Sequence, residues 1–412
     1  MTDTEDRQRD SASTDTGGIA SGSTIEDRLS EFDPRELARS LGARANGDRE
    51  RSEGGGDRND SPLSAVCYRS ISGANENQWN NAVSQSDRGT LFHRYEWLRA
   101  IEDGFDSDPC HIVVEKRGNP VGLMPNFVTD LSLPDAVVDA LPVTPPVRQL
   151  VSADPGFGGP VVTSSEGDTV DLLFDALETV AGPRILSHRV RAYDPEYVRY
   201  GRYLEARGYR STLDSCLLVL DLGDGWEAIR ENMDKERRRD LRKAHEQDYR
   251  VEIDPLGDDL ETTYRWYAKN VDRVNGTAHP REFLEAIADR LEERVRVFRA
   301  VVDGDDVGRY VYLLDEEGGT LHHWLSAIPD TENYQYHPSE LMHERAIKWG
   351  IERGDDRYSF GRTGSHFDNS VFTFKRKYGG DAIPLVEMET GYSRLGWSLY
   401  RLGRSLYLER TQ

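Results

Sequence analysis

Phe372-Thr373-Phe374-Lys375-Arg376-Lys377-Tyr378-Gly379-Gly380 sets three cations among three aromatic residues and closes on a pair of glycines. The cations stand out because lysine is scarce: it occurs only at 116, 235, 243, 269, 348, 375 and 377, so most of the 52 basic residues are arginine. Two lysines within three residues mark the stretch as a candidate source of fixed positive charge. The plainer alternative is a surface lysine on a basic turn with Arg376 and Lys377.

Reading upstream from this stretch, apolar periodicity predicts a strand over Arg357–Gly361, a helix over Ser339–Arg353, and strands over Thr320–Ala327, Val307–Leu314 and Val295–Val302. Helices follow at Pro280–Leu291 and Leu260–Asn270, then a strand at Arg250–Ile253 and a charged helix at Trp226–Asp248. The preceding half has the same mixed texture. Trp79 begins a helical pattern, and Thr90–Ala100 reads as a turn feeding a helix. His111–Glu115 and Pro120–Pro125 read as a hairpin. A Pro-rich loop at Leu141–Val147 and the glycines of Pro155–Pro160 precede a helix over Asp168–Ala181 and strands over Arg184–Arg191 and Cys216–Leu220. Gly156–Gly159 lacks a strand–GxGxxG–helix setting, so it reads as a tight turn with Asp154 beside it as a ligand contact. Residues 1 to about 60 are rich in Ser, Gly, Asp and Arg and poor in aromatics. They cannot bury enough apolar surface to offset ordering entropy, which predicts disorder with a transient helix at Asp33–Leu41.

The run 372–380 resembles the FKxxFG element of Fem-type aminoacyl-tRNA-dependent transferases and of related GNAT-like proteins labelled BioF2-like acetyltransferases, with Tyr378 in place of the usual Phe. Arg238-Arg239-Asp240-Leu241-Arg242-Lys243-Ala244 is similar to that family's R-x-x-x-R-K-A helix. Tyr358-Ser359-Phe360-Gly361-Arg362 is similar to its strand before the closing loop, and Thr90–Leu98 to the start of its N-terminal helix. Together these cover most of residues 66–382. The resemblance implies an α+β fold of two tandem GNAT-like acyltransferase domains, with mixed sheets flanked by helices. The expected divisions are an acidic tail at 1–62, domains at 63–225 and 226–385, and a C-terminal basic amphipathic helix at 386–412.

In such transferases a free amine attacks a thioester or ester carbonyl, and the developing oxyanion needs a fixed positive charge or N–H dipole. Lys375 suits that role, and the resemblance places the family's lysine by the reaction site. His337 is a candidate to accept the ammonium proton, because histidine titrates in the useful range; the alternative is a structural hydrogen-bonding role. Arg238, Arg242 and His245 share one helix face, which with Lys243 and the N-terminus of the Ser339 helix forms a candidate phosphate site. The competing reading is a solvated helix laced with pairs such as Asp234–Arg238 and Glu231–Lys235. Tyr95, Trp97, Arg362 and Phe374 are expected along the substrate groove.

An acetyl-CoA-dependent GNAT usually cradles the pyrophosphate on a Gly-rich loop, yet residues 329–340 contain no glycine. The donor therefore stays open between acyl-CoA and aminoacyl-tRNA, used as co-substrate with no tightly bound cofactor. No HExxH occurs, and His322-His323 sit on a strand where neighbours point to opposite faces, so no metal site is expected. Cys67, Cys110 and Cys216 show no CxxC spacing and signal neither zinc nor a disulfide framework.

The 412 residues carry a formal charge of −22, which with the arginine bias reads as a halophile's protein, the plainer alternative being a mesophilic acidic protein. Such a surface repels nucleic acid except at a local basic patch, so DNA is not an expected partner while tRNA stays possible. The absence of a signal peptide or a long apolar run predicts a cytoplasmic protein. Tyr392–Leu408 reads as a basic amphipathic helix that docks on the protein or touches an anionic membrane peripherally. The expected activity is N-acyl or aminoacyl transfer to a small-molecule or cell-envelope-precursor amine. The alternative is a non-catalytic GNAT-like module whose basic helix binds a phosphorylated ligand or RNA.

Overall fold

A computed structural model describes residues 63–131, 147–181, 185–364, 366–393 and 396–402. The expected tail and its helix at Asp33–Leu41, most of the Pro-rich loop, and the end of the C-terminal helix lie outside these residues. The first part of the helix expected at 386–412 is instead a strand, Val386–Gly391, held by pairing with Ile185–Ala192. Ser52–Gln412 forms one compact unit.

The chain begins with β1 (Leu63–Tyr68), α1 (Glu76–Gln85) and α2 (Tyr95–Gly104), followed by β2 (Asp108–Pro109), β3 (His111–Lys116), β4 (Asn119–Met124), β5 (Asn126–Asp130), β6 (Arg148–Ser152) and β7 (Val161–Val162). Next come α3 (Glu166–Ala181), β8 (Ile185–Ala192), α4 (Gly201–Ala206), β9 (Arg210–Thr212) and β10 (Ser215–Asp221). The second half carries α5 (Gly225–Asn232), α6 (Lys235–His245), β11 (Tyr249–Pro255), α7 (Leu260–Arg273), α8 (Arg281–Arg290), β12 (Val295–Val302), β13 (Asp305–Asp315) and β14 (Thr320–Ala327). It ends with α9 (Pro338–Arg353), β15 (Arg357–Gly364), α10 (Ser370–Arg376), β16 (Asp381–Pro384) and β17 (Val386–Gly391).

This is the expected α+β architecture of two tandem GNAT-like halves. In the second half a seven-stranded sheet runs β11-β12-β13-β14-β15-β10-β16. In the first half a six-stranded sheet runs β2-β5-β6-β8-β17-β9 beside a four-stranded sheet β1-β3-β4-β7. Each half contains one strand–helix–strand crossover with parallel strands, β6-α3-β8 and β14-α9-β15.

The halves exchange strands. β10 precedes residue 226 yet pairs with β15 and β16, while β17 follows residue 385 yet pairs with β8 and β9. The two sheets are therefore tied together: β17 returns from the far end of the chain to complete the first-half sheet, and β10, from just ahead of residue 226, lies inside the second-half sheet.

The helix expected over Trp226–Asp248 is broken in two. Met233 is extended, and the Asp234 side chain accepts the Glu236 N–H, capping α6. Such a cap satisfies an orphan donor and so favours a new start at Asp234 over one continuous helix. A one-residue register shift also bulges β14, where Val311 pairs with Leu325 and Tyr312 with His323. The extra residue is Trp324, so the alternation expected at His322-His323 holds: His322 packs on Phe92 and Tyr193, and His323 on Tyr310 and His343.

A shared core joins the halves. Trp97 of α2 packs edge-on against Phe283 of α8 and Trp324 of β14, at centroid distances of 5.7 and 5.8 Å. A Cβ at Gly104 would sit 2.4 Å from the Phe283 Cα, so glycine permits the close approach of α2 and α8. Buried Asp315 of β13 accepts the Leu91 N–H at 2.7 Å and the Tyr193 hydroxyl at 2.7 Å from the first half. It also accepts the Gly318 N–H at 3.1 Å.

Burial alone would raise the Asp315 carboxyl, but His322, Tyr193 and the Leu91 N–H hold it below its ordinary 3.8. A carboxyl depressed on folding adds stability above its unfolded value and loses it as pH falls through the lower folded value. Asp315→Asn is therefore expected to lower stability by about 1–3 kcal/mol at pH 7. It is also expected to lose less on acidification below pH 4 than the wild type does. Urea unfolding at pH 7 and pH 3 measures both; an unchanged acid dependence would overturn the assignment.

Candidate active site

The β14 and β15 strands pair in parallel only from Thr320–Arg357 to His322–Ser359, although both run on for several residues. Beyond that point they separate. A pocket of about 390 Å³ opens there, lined by His322, His323, Trp324, Ser326, Phe360, Gly361, Arg362 and Lys375 from the second half. Phe92, Asp154–Phe157 and Arg191 from the first half face them.

Lys375 reaches this pocket because α10 is fixed at its start. Asn369 accepts the Phe372 N–H at 2.7 Å and is bonded in turn by the Thr363 hydroxyl at 3.1 Å. Four residues apart on α10, Val371 and Lys375 share the pocket side. The Lys375 ammonium donates to the Gly361 and Arg362 carbonyls at 3.1 and 2.9 Å. Two of its three protons are thereby used. Burial lowers its pKa from 10.5 to about 8, so the cation predominates at neutral pH.

The carbonyl arrangement depends on a local irregularity in β15. One extra residue intervenes between the pairs Leu217–Arg362 and Val219–Ser359, and Gly361 has φ +76°. A Cβ there would stand 2.9 Å from the His323 carbonyl oxygen, which makes glycine the fitting residue.

The opposite wall is aromatic and tied down. His279 stacks on Trp324 at 5.9 Å, and the Trp97 indole donates to the Pro155 carbonyl at 3.1 Å, anchoring the Asp154–Phe157 turn. A Cβ on Gly156, whose φ is +112°, would meet Phe92 at 2.8 Å. The glycine run thus forms the predicted turn, packed tightly against the pocket's aromatic wall.

Charge gathers at the first-half rim. Arg191 donates through Nε to buried Glu387 at 3.1 Å, and the Ser215 hydroxyl donates to the same carboxylate at 3.0 Å. Arg362 stands 3.6 Å from Glu387, while Arg189 and Arg191 lie 3.8 and 3.9 Å from Asp154. Burial lowers the Arg362 pKa, reinforced by the Arg191 charge.

Of the residues expected at the site, Lys375 and Arg362 line this pocket, and Tyr95, Trp97 and Phe374 do not. Trp97 is fully buried behind the Asp154–Phe157 turn, and Tyr95 packs at the edge of the same core. Phe374 faces the other side of α10, where the Arg237 guanidinium lies 4.5 Å from its ring and 4.7 Å from that of Tyr378.

The candidate phosphate and proton-accepting residues lie around the start of α9 and along α6, outside the pocket lining. His337 caps α9 in the left-handed conformation, φ 52°, and burial lowers its pKa. Buried Ser339 accepts the Tyr310 hydroxyl at 2.7 Å. Arg238 donates to the Glu231 carbonyl at 3.2 Å, while Arg242 and Lys243 are exposed.

The α9 N-terminus already holds acidic groups. Glu340 sits in its first turn, ion-paired with buried Arg237, and one side-chain oxygen each of Asp240 and Glu340 lies within 4.8 Å of a His337 ring nitrogen. A pyrophosphate approaching this helix end would meet carboxylates where a Gly-rich GNAT loop presents N–H groups.

His323, whose pKa burial and the Lys375 charge push down to about 3, and fully buried His343, also lowered by burial, are neutral at pH 7. The residues sequence reasoning missed as pocket walls, Arg191, Phe157, His279 and Trp324, come from four separate segments. Proximity in the sequence carried no signal for them.

A buried, carbonyl-held lysine at the mouth of two diverging parallel strands is an arrangement suited to acyl transfer. Residues 230–376 match the acetyltransferase (GNAT) domain family. Among solved structures, the chain is similar to FemX, at 13% identity and TM-score 0.62, covering 79% of this chain and 98% of FemX. It is also similar to a conserved protein of unknown function from Bacteroides thetaiotaomicron VPI-5482, at 11% identity and TM-score 0.52, covering 80% and 99% of the two chains. A third likeness is to the DUF2156 C-terminal domain of a candidate lysylphosphatidylglycerol synthetase from Agrobacterium fabrum, at 12% identity, TM-score 0.51 and coverage of 81% and 97%. At these identities the likenesses establish the fold. No curated protein sequence matches the chain. No helix among the described residues is long and apolar enough to cross a membrane.

Proposed function

We propose that the protein is an N-acyl or aminoacyl transferase of the Fem-like branch, with Lys375 as the electrophilic residue of the inter-half pocket. The observation that carries this reading is the Lys375 ammonium itself. It is buried, held by two carbonyls, and left with one proton to donate.

In the reaction the neutral amine of the acceptor attacks the carbonyl carbon of a thioester or ester. A C–N bond forms while the carbonyl π pair moves onto oxygen, where the third Lys375 proton and the positive charge stabilise it. Collapse re-forms the C=O bond and breaks the C–S or C–O bond. The attacking nitrogen loses its extra proton to solvent or to the leaving group. Binding both substrates in one pocket supplies positioning, which alone contributes several kcal/mol.

The carboxylates at the α9 start disfavour a donor whose pyrophosphate must sit there. This favours an aminoacyl-tRNA, or an acyl-CoA held along another path, with exposed Arg242 and Lys243 available to a phosphate backbone. The protein would act in the cytoplasm on an amine acceptor, and the arginine-rich acidic surface makes molar KCl the fitting assay medium. Incubation with acetyl-CoA or with charged tRNA and a mixture of amines, followed by mass spectrometry, should yield an amide with one donor. Ligand binding without amide formation from either donor would replace this reading by that of a binding module.

A further inference from the structure

Three arginines converge on the pocket rim. Arg189 and Arg191 stand near the end of β8, the strand of the first-half parallel pair, and Arg362 near the end of β15, its counterpart in the second half. With Lys375 they set four cations against the carboxylates of Asp154 and Glu387. Glu387 is 4% exposed and already engaged by Arg191 and Ser215, so it is a fixed part of the wall. Arg362 is different: its side chain is 45% exposed, and among the described residues its only ion pair is the 3.6 Å approach to Glu387. Its planar fork of N–H donors is therefore largely available to the pocket.

The geometry points to an acceptor amine that carries an oxyanion, carboxylate or phosphate, clamped between Arg362 and Arg191. Asp154, 42% exposed and at least 3.8 Å from either arginine partner, supplies the opposite pole for the acceptor's ammonium. A pocket of about 390 Å³ suits a zwitterion of amino-acid or dipeptide size, or one such end of a larger molecule. The two halves contribute one side of the clamp each, so the anion site exists only in the interlocked fold. A bidentate arginine is the side chain best matched to such oxyanions. This inference builds on the transferase reading, and it names the chemical class of the acceptor.

The test is calorimetric titration of the whole protein with matched pairs: glycylglycine against its C-terminal amide, and phosphoethanolamine against ethanolamine. The anionic member of at least one pair is expected to bind about tenfold or more tightly than its partner. Which pair shows the preference tells carboxylate from phosphate. Arg362→Gln should abolish it and Arg362→Lys should keep part of it, with melting temperatures unchanged because Arg362 is a surface residue. Arg191 is the less clean position, since its loss strands buried Glu387. Absence of preference in both pairs, or preference retained in Arg362→Gln, would overturn the clamp. Anion preference without amide formation from any donor leaves the clamp standing and removes the transferase reading; amide formation without preference does the reverse.

Discussion

Lys375→Met is expected to lower transfer by about a hundredfold or more while shifting the melting temperature by only a few degrees. The catalytic loss follows from removing the charged donor proposed to face the developing oxyanion. The small thermal effect follows from two opposing terms. A lysine moved from 10.5 to about 8 carries about 3 kcal/mol of burial cost at neutral pH. Methionine removes that cost but leaves the Gly361 and Arg362 carbonyls without their donor, about 1–3 kcal/mol each.

The pH dependence has a definite sign. Between about 8 and 10.5 the unfolded chain holds a proton on this lysine that the folded protein has released, so wild-type stability gains from Lys375 as pH rises through that window. Below about pH 8 the burial cost is present in full. Lys375→Met should lack this alkaline gain. Activity runs the opposite way: once the acceptor amine is neutral, transfer should fall as pH rises past about 8 and Lys375 loses its proton. Single-turnover rates and thermal melts from pH 6 to pH 10 measure both. Unchanged turnover in the variant would remove Lys375 from the mechanism.

Arg237→Ala should destabilise the protein by about 3–5 kcal/mol, the largest effect expected of any single change discussed. The Arg237 side chain is 6% exposed, paired with Glu340 at 7%, and covers the rings of Phe374 and Tyr378. Removing it leaves the Glu340 carboxylate buried without its counter-charge and close to Asp240. It also opens a gap between α6 and the segment that carries Lys375. Elsewhere that contact consists of the Asp234 N–H on the Lys377 carbonyl, at 2.9 Å, and the Lys377–Glu236 pair, at 2.7 Å. The double variant Arg237→Met/Glu340→Leu should recover most of the loss, since an apolar pair of similar volume needs no compensating charge. Urea midpoints for the single and double variants decide the matter. A single variant within 1 kcal/mol of wild type would show the pair to be dispensable.

These two residues illustrate what could be read in advance. Lys375 was legible because its neighbours in sequence, Phe374 on the same short helix and Tyr378 just past its end, form a recognisable run. Arg237 lies within the same basic helix, but the spacing of Arg238 and Arg242 marks a different face of it. Periodicity identifies which residues share a face; it does not say which face meets the protein. Burial of one arginine among the four of α6 was decided by Glu340, which is about a hundred residues away in sequence.

The α+β class and the order of elements from β11 to β15 followed from the sequence alone, because hydrophobic period and capping act over a few residues, whereas strands such as β5, β6, β16 and β17 were not read. The strand Val295–Val302 and the strand Thr320–Ala327 were read to the residue. The strand exchange was invisible, because the pairing partners of β10 and β17 lie about 140 to 200 residues away in sequence and share no local pattern with them. The bulges in β14 and β15 were invisible for a related reason: an extra residue shows only when a partner strand fixes the register. The pocket inherits both. Its lysine and one arginine were written in the closing run and the strand before it, and Asp154 beside the glycine turn, while the second arginine and the aromatic wall joined them only when the two halves packed together.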